Sequence, residues 1–252
     1  MNKFFRLGLP AAALCSFLSI ATAAPDGSEN RKVDARIVRV RLDGLVDLRI
    51  RQGAAPALVL SGDAGVVARA TTEQRGDTLH IDTESEGHGR HRRVHAELTL
   101  PALREVTSES VGTTEIRGFS GDEIALSLDG AGSMQMWCNY KRVTATLGGV
   151  GHMNLAGLDS ESVDLNLNGA GYVKLSGRSK WLKADLGGLG GLDARGFSTD
   201  SVNLDMSGLG NATVSASQNA TLSLSGLGSV TVYGKPLNRK VTVDGLGKVS
   251  WK

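Results

Sequence analysis

Few side chains in this chain are of types that do chemistry. Asp185, Asp193 and Asp205 bring three carboxylates close together in sequence. Carboxylates held about 5 Å apart repel, so such a group holds its protons more tightly, shares a cation or leans on a neighbouring base, for which Lys183 is available. The plain reading is a pair of solvated surface acids beside that lysine. Four of the five histidines, His80, His88, His91 and His95, are also clustered, and the run EGHGRHRRVH adds Arg90, Arg92 and Arg93. Histidines three and four apart converge on a metal ion only from one face of a helix, and Gly87 and Gly89 oppose a helix. A loop is expected instead: either a solvated basic tip or an electrostatic contact for an anionic glycan or lipid headgroup. Cys138 is the one thiol outside the first 23 residues, no histidine is placed to activate it, and a buried inert role is expected. The sequence assigns no catalytic residue, no metal ligand and no cofactor.

What positions these side chains is a repeat. Gly-x-Gly recurs seven times, with leading glycines at 130, 149, 169, 188, 208, 226 and 245, spaced by 19, 20, 19, 20, 18 and 19 residues. Two residues before each leading glycine stand Leu128, Leu147, Leu167, Leu186, Met206, Leu224 and Val243; four after it stand Met134, Met153, Val173, Leu192, Ala212, Val230 and Val249. The columns four before and six after are apolar too, and polar residues alternate between them. Period-two alternation on both sides of a glycine turn makes each unit a pair of short strands with one buried face. A single 19-residue unit cannot close a core, whereas units stacked in register bury a continuous one. The fold class expected is therefore all-β: a parallel, single-stranded β-helix of seven to eight 19-residue coils, taken as right-handed. Asp185 and Asp205 then share an outward column in adjacent coils, with Asp193 on the strand that follows. The always-apolar residue between the glycines, from Ala131 to Leu246, is expected to point inward at the bend.

VRVRLDGLVDLRI, from Val38, reads as a degenerate first coil, with Val38, Val40, Leu42, Leu45, Leu48 and Ile50 inward around Gly44. Between Gly53 and Pro101 the pattern breaks into candidate strands at 57–60, 66–72, 78–83 and 94–100, as an end cap of a solenoid would. No cap follows the last strand, so the final coil or the outer face is expected to self-associate. Residues 1–23 read as a signal peptide: Lys3 and Arg6, an apolar run to Ile20, then Ala21-Thr22-Ala23. The division expected is signal peptide 1–23, first coil and cap 24–105, and repetitive solenoid 106–252, the last two forming one continuous domain. The location expected is periplasmic, outer-membrane associated or extracellular.

Composition narrows the function. Without residues 1–23 the chain holds 26 basic and 26 acidic residues, which offers no basic footprint for nucleic acid. No second apolar run approaches the roughly 18 residues of a membrane helix. The 33 glycines lack collagen's three-residue period. The Gly-x-Gly units never supply the third glycine of a dinucleotide fingerprint and lead into strands, so they offer no helix N-terminus to a phosphate.

The opening coil VRLDGLVDLRIRQG, the stretch GDTLHIDT, the strand VHAELTLPAL and the LSLDGAGSMQM-type repeats resemble the head GIN domain family of exported bacterial proteins, described as auto-transporter adhesins. The resemblance covers roughly residues 36–252 and implies a β-solenoid-like fold, a cell-envelope or secreted location and no catalytic residue. Two functions follow as expectations. One is an exported, non-catalytic, adhesin-like scaffold that binds a partner, such as a cell-surface glycan, or assembles with itself. The alternative is a carbohydrate-active enzyme or glycan-binding module using Asp185, Asp205 and neighbouring acids, since polysaccharide-cutting β-solenoids resemble one another in clustering acids on an outer face.

Overall fold

The computed structural model describes residues 27–83 and 93–252. The expected signal peptide, and His88, Arg90, His91 and Arg92 of the basic loop, lie outside the described residues.

From residue 105 onward the chain is a parallel β-solenoid. β8 (Glu105–Ser108) leads into β9 (Val111–Leu128), β10 (Ala131–Leu147), β11 (Val150–Leu167), β12 (Ala170–Leu186), β13 (Leu189–Met206) and β14 (Leu209–Leu224). Each long strand bends around one coil and pairs in parallel with the next. The last coil is split among β15 (Leu227–Tyr233), β16 (Asn238–Val243) and β17 (Lys248–Trp251). The apolar columns read from the sequence line the core: Leu128, Leu147, Leu167 and Leu224 are at most 1% exposed, and Met134, Val173 and Val230 are sealed.

One expectation fails at the turn. The residue between the two glycines points outward: Val150, Leu189, Leu209 and Leu227 are 61, 55, 47 and 50% exposed. The reason is parity. Alternation continues unbroken through the bend, so the even positions counted from the leading glycine face inward, the two glycines among them, and the residue between is forced out. The inward side of the corner has no room for a side chain: a Cβ on Gly149 would lie 2.0 Å from the carbonyl oxygen of Gly130 in the preceding coil.

The N-terminal third has the strands expected at 57–60, 78–83 and 94–100 and departs from its reading at 66–72 and in the place of the Val38 coil. β1 (Gly27–Arg31), β2 (Arg39–Gly44), β3 (Val46–Gln52) and β4 (Ala57–Gly62) are followed by α1 (Ala64–Arg69), β5 (Thr71–Arg75), β6 (Thr78–Thr83) and β7 (Val94–Leu100). β2 lies between β6 and β8, and β3 between β7 and β9, all parallel. The coil at Val38 is thus not the end of the stack; β6 and β7 form another coil beyond it. Within the Val38 coil, Val46 is buried whereas Leu45 is only partly covered, the same parity correction as at the glycine corners; Val38, just before β2, is also only partly covered, and Ile37 is buried in its place. Antiparallel strands complete the cap: β4 on β7, β1 on β4 and β5 on β6. The strand expected at 66–72 is instead mostly α1. Asp63 caps the helix by accepting hydrogen bonds from the amides of Gly65 and Val66, and Val67 is buried against the core. Among the described residues no helix is long and apolar enough to cross a membrane.

Candidate functional site

Parallel pairing of β12 with β13 sets Asp185 directly beside Asp205, as the repeat demanded. Asp185 is held by the Lys183 ammonium at 2.9 Å, and that hydrogen bond, with the charges of Asp164 and Asp185, raises the lysine's pKa. Asp193 lies across the glycine corner on the other arm of the coil, in register with Lys174, its Oδ1 accepting from the Arg195 amide at 3.0 Å. The structure therefore brings together two of the three acids, one of them neutralised by its own strand neighbour. This is the geometry of a surface ion pair.

The histidines that are described lean on separate carboxylates. His80 Nε2 lies 2.6 Å from Asp43, to which Arg41 also reaches. His95 Nδ1 and Arg93 Nη1 lie 3.6 and 3.4 Å from Asp47, which also accepts a hydrogen bond from the Thr113 amide at 2.8 Å. Arg93, Asp47, Arg49, Glu97 and Glu115 line a charged groove of about 440 Å³, whose charges satisfy one another: Arg49 bridges Glu97 and Glu115 at 3.3 Å each. Among the described residues no three of His, Cys, Asp and Glu are arranged to hold a metal ion. Cys138 is buried, its Sγ 3.8 Å from the Ile116 carbonyl, and burial pushes its thiol pKa up to about 11.

Two surface features escaped the sequence reading. The first is an apolar row. Val111, Ala131, Val150, Ala170, Leu189, Leu209 and Leu227 stand in one paired register along the glycine corner, and Leu246, 86% exposed, occupies the same repeat position in the last coil. Glycine flanks every member, so the side chains stand proud of bare backbone. Counting parity through the turn would have found it. The second is a groove of about 620 Å³ on a different corner, crossing β11 to β15. Its signal was the drop from a 20-residue coil to an 18-residue one.

The fold is thus a long parallel β-solenoid with an N-terminal cap, an apolar row along one corner and a polar groove along another. The family model described as "Putative auto-transporter adhesin, head GIN domain" matches residues 38–236, and the chain belongs to this family. Solved structures share the fold. A putative adhesin from Parabacteroides distasonis superposes with a TM-score of 0.83 at 16% identity, covering 90% of this chain and 96% of the other. A protein described as a putative lipid binding protein from the same species gives 0.79 at 16%, covering 90% and 97%. A putative adhesin from Bacteroides fragilis gives 0.69 at 18%, covering 89% and 96%. No curated protein matches the sequence.

Proposed function

We propose that this protein is an exported, non-catalytic, adhesin-like scaffold of the bacterial envelope, which presents the outside of its solenoid to a partner or to further copies of itself. The observation that carries the reading is the apolar row. Isolated exposed apolar side chains are ordinary, whereas a contiguous line of valine, alanine and leucine running for about 34 Å is the kind of surface that proteins keep for association. Membership of the adhesin family and the basic-apolar-small pattern of residues 1–23 support export to the periplasm, the outer membrane or beyond. The pairing of Asp185 with Lys183 favours a structural role for that acid over acid-base work.

The test compares the wild type with a variant carrying Leu189→Ser, Leu209→Ser and Leu227→Ser. Light scattering over a range of concentrations and adhesion of protein-coated beads to bacterial cells are both measured. The expected result is self-association or adhesion by the wild type, lost in the variant at an unchanged melting temperature. Equal behaviour of the two proteins in both assays overturns the reading.

A further inference from the structure

The groove on the second corner is a consequence of coil length. β13 and β14 run in step to the pair Asp193–Thr213 and are in step again at Ser201–Asn219. Between these points β13 spends seven residues and β14 only five, so the wall of β13 overhangs its neighbour. The resulting notch, about 620 Å³, extends over the corners of β11, β12, β13 and β14 to Lys235 beyond β15, a run of roughly 19 Å at the strand spacing.

The lining is polar and its charges are unequal. Arg178 is committed to Asp159, whose carboxylate it binds at 2.5 and 2.8 Å and holds below its ordinary pKa. Asp200 accepts a hydrogen bond from the Ser217 hydroxyl at 3.2 Å. Among the described residues neither Lys180 nor Lys235 forms an ion pair, so two ammonium groups about three coils apart border a channel that also holds the Asp200 carboxylate; Ser160, Ser179 and Thr199 are buried and donate to backbone carbonyls, while Ser198 and Ser215 keep their hydroxyls uncommitted. Two separated cations, with the Asp200 carboxylate and the uncommitted hydroxyls of Ser198 and Ser215 between them, match a chain that is polyhydroxylated and carries spaced carboxylates.

We propose that this groove is a binding site for an acidic oligosaccharide, its carboxylates on Lys180 and Lys235 and its hydroxyls on Ser198, Ser215 and Asp200 between. The site lies about half a coil from the apolar row and does not depend on it.

The experiment is calorimetric titration of the full chain with an oligogalacturonate, with a neutral malto-oligosaccharide and with inorganic phosphate. Saturable binding of the oligogalacturonate alone is expected. The double substitution Lys180→Gln and Lys235→Gln, both on exposed side chains, weakens it by roughly tenfold or more at an unchanged melting temperature. Ser217→Trp, which fills the notch without altering charge, abolishes it, and the triple leucine variant of the apolar row retains it. The proposal is overturned if the oligogalacturonate fails to bind the wild type, if phosphate binds as well as the sugar, or if either groove variant binds like the wild type.

Discussion

At the scale of the residue, Cys138 shows how the solenoid treats a reactive group. It sits in the small, inward column eight residues after the leading glycine, beside Tyr140, whose hydroxyl donates to the Leu103 carbonyl at 2.7 Å and is itself pushed above its ordinary pKa by burial. Burial raises the thiol from 9.0 to about 11. Below pH 9 folded and unfolded chains both keep the proton. Between 9 and about 11 the unfolded chain releases it while the folded one does not, so stability falls as the pH rises through that window, by about 2–3 kcal/mol in all. Cys138→Ala, which leaves Tyr140 in place, is expected to flatten the pH dependence of denaturant stability over this range, and the native thiol is expected to resist a thiol reagent until the protein unfolds. An unchanged slope in the variant would show that the thiol ionises as freely in the fold as out of it.

At the scale of the element, the glycine corner sets the spacing of the coils. Gly149→Ala would put its Cβ 2.0 Å from a backbone oxygen that belongs to the preceding coil and cannot move alone, so a loss above about 3 kcal/mol is expected. Gly76 has positive φ, at 63°, and open space around its Cβ direction; Gly76→Asn should cost under about 1 kcal/mol. Melting curves of the two variants separate the cost of crowding at a corner from the cost of a left-handed backbone at the turn between β5 and β6. The same contrast explains what the sequence made legible. Strict alternation announced the buried columns, the parallel stacking and the adjacency of Asp185 and Asp205, because each depends only on register between like units. The direction of the residue between the glycines was misjudged because a turn suggests an interrupted pleat, and here the pleat continues. The helix at α1 was hidden by Val66 and Val67, β-branched residues that suggest a strand, while the decisive signal was the single capping carboxylate of Asp63. The place of β6 and β7 outside the Val38 coil rests on pairings between strands distant in sequence, which no local pattern encodes. The coil-length step was visible in the glycine spacing, but the corner where two residues are lost appears only once the strands are paired.

At the scale of the whole molecule, the two ends of the stack are unlike, and a stack whose units touch only their neighbours opens from its weaker end. At the N-terminal side three antiparallel strands and α1 cover the core, with Val67 and Ala70 buried. At the other side β16 pairs, among the described residues, only with β14, and its Val241 and Val243, which continue the inward columns, remain 41 and 42% exposed. Arg239, stacked 4.4 Å over the Trp251 ring, ties β16 to β17. Native-state hydrogen exchange should therefore be fastest in β16 and β17, slower in β14 and β15, and slowest in β10 to β12, whose neighbours lie on both sides. Arg239→Ala should accelerate exchange in the last coil several-fold and leave β10 to β12 untouched, because a nearest-neighbour stack passes little of a local loss along its length. If exchange began instead in β5 to β7, or if the substitution loosened every coil equally, the solenoid would be a single cooperative unit and its covered end would contribute nothing to holding it closed.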